Sequence, residues 1–216
     1  MPDRDQTVMT RRSQADRRDE SERRLLHAAT EVIVEQGVSA ATFGAIGERA
    51  GYSRGLATQK FGSKQAMTEA LIAHLHDRQA RALEAVGFDA APGLDALLGY
   101  VDHYLRQLGQ EAEAKAYFML LADAVSDLST LRAAFAASHE KVERLLEAIV
   151  IRGQAEGTIR ADLDADAAAL MVGSLLLGLS VQSLVDPAMD LDPIRRTSLA
   201  TLRLSFAANP LPDAHA

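Results

Sequence analysis

No cysteine occurs in the 216 residues, which excludes a disulfide scaffold and any thiolate metal site and makes a reducing cytoplasm the expected compartment. Glu-x-x-His pairs are also missing. A helical metal-dependent enzyme needs Glu-x-x-His pairs on an inward face, whereas His74 and His76 are two residues apart and diverge on a helix. Asp102-His103 and His139-Glu140 are adjacent, diverge likewise, and read as solvated surface pairs. There is no Gly-rich phosphate loop, nucleophile elbow or supported Ser-x-x-Lys box. The expectation is therefore a protein that is not an enzyme and has no catalytic residues, cofactor or metal. Residues 1–20 are polar, and no apolar stretch follows Arg11-Arg12, which argues against an export signal. The longest apolar run, 165–185, contains Asp166, Ser174, Ser180, Gln182 and Ser183. Set against the about 20 apolar residues that span a bilayer, it reads as a buried helix of a protein with no membrane partner.

What is present is helical. The chain is 48% hydrophobic with a net charge of −7, enough apolar content for a sizeable core. No strand pattern competes with the 3.6-residue periodicity, so the fold class is all-α. A polar, Arg-rich arm (1–20) precedes a first helix running from about Ser21 to Gln36 and closed by Gly37. After two short helices, a longer one starts beyond Ser63 and runs toward Val86, stopping at Gly87. The stretch 87–93, with Pro92, is the clearest break in periodicity. Further helices are expected over 94–109, 111–126, 131–156, 165–185 and 193–206. The domains are then an arm (1–20), a small helical domain that holds the two short helices (21–66) and a larger C-terminal helical domain (67–216).

The stretch TFGAIGERAGYSRGLATQKFGSK, 42–64, has the pattern of a helix-turn-helix. Phe43, Ile46 and Ala50 form an inward face, Gly47 removes a side chain where the helices cross, and Gly51 suits the positive φ that ends the first helix. Ser53 is a good N-cap for the second helix, whose Leu56 and Ala57 turn inward. Arg54, Gly55, Thr58, Gln59 and Lys60 are left facing outward, toward a groove. Ser63 caps the next helix and leaves Lys64 in its first turn, where a phosphate would lie nearby. From Arg49 to Lys64 the ionisable residues are Arg49, Arg54, Lys60 and Lys64, with no acid, on an otherwise acidic chain. A local basic stripe of this kind is the footprint of a DNA-reading element.

These residues resemble the DNA-binding region of the TetR family of bacterial repressors, over about 23–67. The family pattern is matched by Leu25, Leu26, Ala28, Ala29, Gly37, Thr42, Ile46, Glu48, Ala50-Gly51, Ser53, Gly55, Phe61, Ser63 and Lys64. One departure is the Thr58-Gln59-Lys60 segment, where the family often has Tyr-His before the Phe; Lys60 is placed to replace part of that contact electrostatically. The resemblance implies a homodimer that binds double-stranded DNA at a pseudo-palindromic operator, under control of a small-molecule effector, apolar or amphipathic. Repression is the family's commoner mode. The DNA-binding residues are expected to be Thr42, Ser53, Arg54, Gly55, Thr58, Gln59, Lys60 and Lys64. In the C-terminal part, His103, Tyr104, Tyr117, His139, Ser174 and Gln182 are polar groups within apolar helical stretches, able to orient an effector. Tyr117, Phe118, Met119 and Leu121, on a helix too apolar for a free surface, read first as core. The last two helices supply the interface that the resemblance implies, with Met171, Leu175, Gly178, Leu199, Leu202 and Phe206; packing of the final stripe within one chain is the alternative reading. A helical ligand-binding or adaptor protein that has lost DNA reading is the alternative function. The arm has two readings as well: a solvated tail, favoured by Asp16, Asp19, Glu20 and Glu22, or a basic strand along an adjacent groove, favoured by Arg11-Arg12, Arg17-Arg18 and Arg23-Arg24.

Overall fold

A computed structural model describes residues 14–84, 90–108, 112–126 and 131–208. Among them the order is α1 (Gln14–Gln36), a 3-10 turn (Val38–Ala40), α2 (Phe43–Ala50), α3 (Arg54–Phe61), α4 (Lys64–Glu84), α5 (Gly93–Gln107), α6 (Ala112–Ser126), α7 (Leu131–Ala155), α8 (Ala165–Val185) and α9 (Leu191–Phe206). The architecture is all-α, and the β geometry of the described residues is a single antiparallel bridge between Ile159 and Ala207. The chain divides into two compact units, 1–67 and 68–216, with α4 running through the division.

In the first unit α1 begins at Gln14, so the last third of the expected arm is helical; residues 1–13 lie outside the described residues. The physical reason lies in Glu20, which pairs with Arg23 at 3.0 Å and with Arg24 at 2.9 Å. Such i,i+3 and i,i+4 pairs support a helix, where a purely compositional reading of the same charges gives a tail. Leu25, Leu26, Ala28, Ala29, Val32 and Ile33 bury the opposite face of α1, and Ile46 of α2, Ala57 of α3 and Met67 are buried with them in this unit. Gly37, at φ 90°, ends the helix as expected.

The second unit is built around α5, which packs on α7 and α9. Its Leu97, Tyr100 and Val101 are buried in one cluster with Leu146, Ile149 and Val150 of α7, Ala169, Val172 and Leu176 of α8, and Leu202 and Phe206 of α9. The expectation that Leu202 and Phe206 form an intersubunit surface is thereby corrected. They are 4% and 1% exposed within one chain, because the apolar stripe of α9 faces α5. Polar pairs tie the same helices, Arg195 to Asp102 and Arg203 to Asp95.

α5 approaches α7 so closely that Gly93 has no room for a side chain, and Gly153 opposite it is hemmed in by Ile159. A Cβ on Gly93 would stand 2.3 Å from Gly153 Cα, and one on Gly153 would stand 2.6 Å from Ile159 Cδ1. Pro92 precedes α5 and offers no capping oxygen, so the free amides of Gly93 and Leu94 donate to the Glu156 carboxylate at 2.7 Å and the Thr158 hydroxyl at 3.3 Å. A carboxylate there also complements the positive end of the helix dipole.

The buried-helix expectation for 165–185 holds for one side only. Ala168, Ala169, Val172, Leu176, Ser180 and Ser183 of α8 are buried, while Leu170, Met171, Val181 and Val185 are exposed. By length and composition this is the one candidate membrane span among the described residues.

Gly93→Ala should destabilise the protein by about 3 kcal/mol, at the upper end of overpacking costs, because the new methyl meets backbone rather than a movable side chain. Urea unfolding followed by circular dichroism measures this, and a loss within about 0.5 kcal/mol would contradict the close α5–α7 contact.

Candidate functional site

The first unit presents α3 at its surface. Thr42 caps α2 by accepting from the Ala45 amide at 3.2 Å, and Ser53 caps α3 by accepting from the Leu56 amide at 3.2 Å. Ser63 does the same for α4 through the Ala66 amide at 3.0 Å. Gly51 ends α2 at φ 74°. A Cβ on Gly47 would meet Tyr52 O at 3.0 Å and Ser53 backbone atoms at 3.1 Å, so the turn folds directly onto α2. With Ala57 buried and Leu56 half-buried, Arg54, Gly55, Thr58 and Gln59 are exposed along the other face. Gly55 meets only Ser53 Oγ, at an ordinary 3.7 Å; nothing in its own chain requires a glycine there. Its bare backbone instead allows close approach from outside. Thr58 donates its hydroxyl to Arg54 O at 3.0 Å.

Two members of the basic stripe are not where the sequence pattern puts them. Lys60 is 15% exposed, paired with Glu22 at 2.8 Å and donating to Arg18 O at 3.0 Å, so it faces α1 instead of the groove side. Arg49 likewise reaches α1, donating to Glu35 at 3.0 Å and to Glu31 at 3.5 Å. These bonds hold the Glu35 carboxyl below its ordinary pKa. Lys64 is exposed in the first turn of α4 and donates to Val38 O at 3.4 Å.

The second unit encloses a cavity of about 230 Å³ lined from α4, α5, α6, α7 and α8. Most of its wall is apolar: Leu75, Leu108, Phe118, Val142, Ala169, Leu170, Leu176 and Leu177. Of the sequence-derived ligand candidates, His103, Tyr104, Tyr117, His139 and Ser174 line it. Gln182 does not; it is exposed, and Ser180 takes the inward position on that helix, bonded to the Tyr104 hydroxyl at 2.8 Å. The surface-pair reading holds for Glu140, which is exposed and paired with Arg144 at 2.8 Å, and fails for the other three residues. His103 and His139 line the cavity, while Asp102 is bonded by Arg106 and Arg195. Polar or charged lining residues not among those candidates are His76, Arg78, Tyr100, Gln107, Glu113 and Glu143.

At the centre of this wall the Tyr117 hydroxyl lies 2.9 Å from Nε2 of His76 and 2.9 Å from Nε2 of His139, joining α4, α6 and α7. A phenol has one proton, so it donates to one imidazole and accepts from the other. The two neutral histidines must then be opposite tautomers. Burial pushes the His76 pKa down to about 4, with the charges of His139 and Lys141 adding to the effect, and burial also lowers that of His139.

On the remaining surface, Met171 and Gly178 are exposed on α8, whereas Leu175 and Leu199 are half-buried against the core. Among the described residues no group of three or more His, Cys, Asp or Glu is placed to hold a metal.

The histidine pair gives stability a definite pH dependence. His76 stays neutral in the fold but takes a proton below about 6.5 when unfolded, so its contribution is present above that pH and is lost as the pH falls from 6.5 toward 4. The urea midpoint should therefore drop less between pH 7 and pH 5 in His76→Gln than in the wild type; equal drops would contradict the assignment.

Comparison with known proteins places these features in a family. Residues 25–71 match the model of bacterial regulatory proteins of the tetR family, and residues 93–206 match the C-terminal model of BetI-type transcriptional repressors. Curated protein sequences give no match. Among solved structures, a TetR-family transcriptional regulator from Rhodococcus sp. is 23% identical, with TM-score 0.78, over 88% of this chain and 100% of that one. The fatty acid degradation regulator FadR from Bacillus halodurans is 19% identical, with TM-score 0.73, over 89% and 96%. A transcriptional regulator from Saccharomonospora viridis in complex with choline is 20% identical, with TM-score 0.70, over 88% and 98%. At these identities the structures show a shared fold. The second family model alone spans more than half of the chain, and with the first it establishes that the protein belongs to the TetR family of DNA-binding transcriptional regulators with a C-terminal ligand-binding domain.

Proposed function

We propose that this protein is a homodimeric repressor of the cytoplasm, released from a pseudo-palindromic operator by a small apolar or amphipathic effector. The observation that carries the reading is the cavity together with the helix that reaches it. α4 opens with Lys64 directly after α3 and, further along, contributes Leu75, His76 and Arg78 to the cavity wall. An effector that binds better when α4 is displaced shifts the population toward that state, by no more than its differential affinity. In the operator-bound state, α3 from each protomer enters a major groove, the two lying about one helical turn or ~34 Å apart. The Tyr117-centred chain and the Tyr104–Ser180 pair supply the polar contacts that orient the effector among apolar walls.

Dimerisation is assigned to the side of α8 that its own chain leaves bare. Met171, Ser174, Gly178, Val181 and Val185 are exposed at steps of three and four residues, the spacing of a helix–helix seam. Ala200, Thr201 and Leu204 are exposed on α9, opposite the face that packs on α5. A second copy covering both stripes forms a four-helix interface of the kind used in bundles. Leu202 and Phe206 support that interface from beneath.

Selection of duplexes from a random pool should enrich one pseudo-palindrome, and addition of the effector should release it. On that operator Gln59→Ala should relax base preference, since its exposed amide suits adenine. Lys64→Ala should weaken binding to all sequences about equally, as loss of a phosphate contact does. An equal loss of preference in both variants would reverse the assignment.

Light scattering should give twice the 23.2 kDa chain mass for the wild type. Val181→Asp should yield a folded monomer, because it places a charge in the interface and leaves the chain's own core intact. A wild-type mass near 23.2 kDa at micromolar concentration refutes the arrangement.

A further inference from the structure

In the first unit, most of the described cations are already engaged with acids of α1. Arg23 and Arg24 pair with Glu20, Arg49 with Glu35 and Glu31, and Lys60 with Glu22. Two guanidinium groups, those of Arg18 and Arg54, are exposed and have no ion-pair partner among the described residues. Arg54 is the first residue of α3. Arg18 belongs to α1, but its carbonyl accepts from the Nζ of Lys60, in the last turn of α3. Arg54 thus stands at one end of the recognition helix, and the backbone of Arg18 is tied to the other. Arg54 and Lys60 are about 9 Å apart along the helix axis at 1.5 Å per residue, against a major groove about 12 Å wide with phosphates on both rims.

We propose that the first two turns of α1, Gln14 to Ser21, are a second DNA-contacting element in which Arg18 binds a backbone phosphate, and that Lys60 is a positioning residue holding this element beside α3. The proposal rests on the DNA-binding reading of α3 and adds to it. Lys60 is nearly covered, engaged by one carboxylate and one carbonyl, and so is poorly placed to read DNA itself. Its two bonds join segments about forty residues apart in the chain and lie where an unanchored helix end would fray. Arg18 supplies charge without sequence information, as phosphate contacts do.

The test uses the full chain and the selected operator, with binding followed by fluorescence anisotropy between about 50 and 200 mM KCl. Each phosphate contact contributes about 0.9 to the slope of log K against log salt, so Arg18→Gln should flatten the slope by about 1.8 for a dimer. Operator and scrambled duplex should lose affinity in equal proportion. Arg23→Gln, on the same helix but engaged with Glu20, should leave the slope unchanged. Lys60→Met should flatten it as Arg18→Gln does, and the double variant should go no further than either single one. Glu22→Gln should weaken binding, although it removes a negative charge near DNA. Thermal melts of each variant check that the fold persists.

A wild-type slope in Arg18→Gln, additive losses in the double variant, or tighter binding by Glu22→Gln would each overturn the proposal while leaving operator binding by α3 intact. Failure of the wild type to enrich any sequence would overturn the regulator reading as well.

Discussion

The missing side chain at Gly47 is the constraint on which the DNA-reading unit depends. With Tyr52 O and Ser53 backbone atoms only 3.0–3.1 Å from where a Cβ would stand, the turn can lie directly against α2. That contact fixes the angle at which α3 leaves. Once the angle is set, Ala57 is the residue of α3 that must be buried, and helical geometry then assigns Arg54, Gly55, Thr58 and Gln59 to the outside. The chemistry offered to DNA is thus a consequence of backbone packing several residues earlier. Gly51, at φ 74°, acts with Gly47 by letting the chain reverse within one residue.

Much of this was legible in the sequence because it is local. Thr42, Ser53 and Ser63 each cap a helix starting at the next residue, and a cap depends on a hydroxyl and the amides three residues on. What the sequence hides is pairing across distance. Arg49 and Lys60 belong to a basic stripe when read along the chain, yet their partners on α1 are 14 to 42 residues away. Periodicity cannot report such partners. The same limit applies to α9, where the 3.6-residue pattern identifies Leu199, Leu202 and Phe206 as an apolar face but does not say whether α5 or another chain covers it. Register on α8 is also settled by packing. Ser180 and Gln182, two residues apart, point in nearly opposite directions, and contact with α7 and α5 turns Ser180 inward.

Histidines show the difference between a motif and a place. His74 and His76 diverge, as their spacing requires, so together they make no ligand pair. Read singly, His76 meets His139 through Tyr117 across 41 and 22 residues of chain. Burial keeps both imidazoles neutral, and neutrality is what allows a single hydroxyl to satisfy both of them. A charged imidazole there would need a counter-ion, and of the two acids lining the cavity, Glu113 and Glu143, the first is already paired with Arg78. The cavity wall is consequently polar in hydrogen bonding but nearly uncharged at its centre, which favours an effector whose polar group is small relative to its apolar body.

The composition of α8 follows from having to satisfy two neighbours at once. Facing α7 and the cavity it needs apolar residues and small ones, met by Ala168, Ala169, Val172 and Leu176. On the opposite side Met171, Val181 and Val185 are equally apolar and left uncovered. A helix apolar all round meets the length and hydropathy criteria for a bilayer span, but its polar groups argue for a different environment. Ser180 donates to Leu176 O at 2.8 Å and Ser183 to Ser180 O at 2.9 Å, while Asp164 caps the N-terminus through the Ala167 amide. Its two buried serines lie on the face turned toward the rest of its own unit, where Ser180 also meets Tyr104. The bare face holds Ser174 and Gly178 between larger apolar residues, an alternation of small and large side chains that suits close packing by another helix more than contact with lipid. The apolarity of this helix is accounted for on one side by the core of its own unit and, in the dimer proposed above, by a second copy on the other.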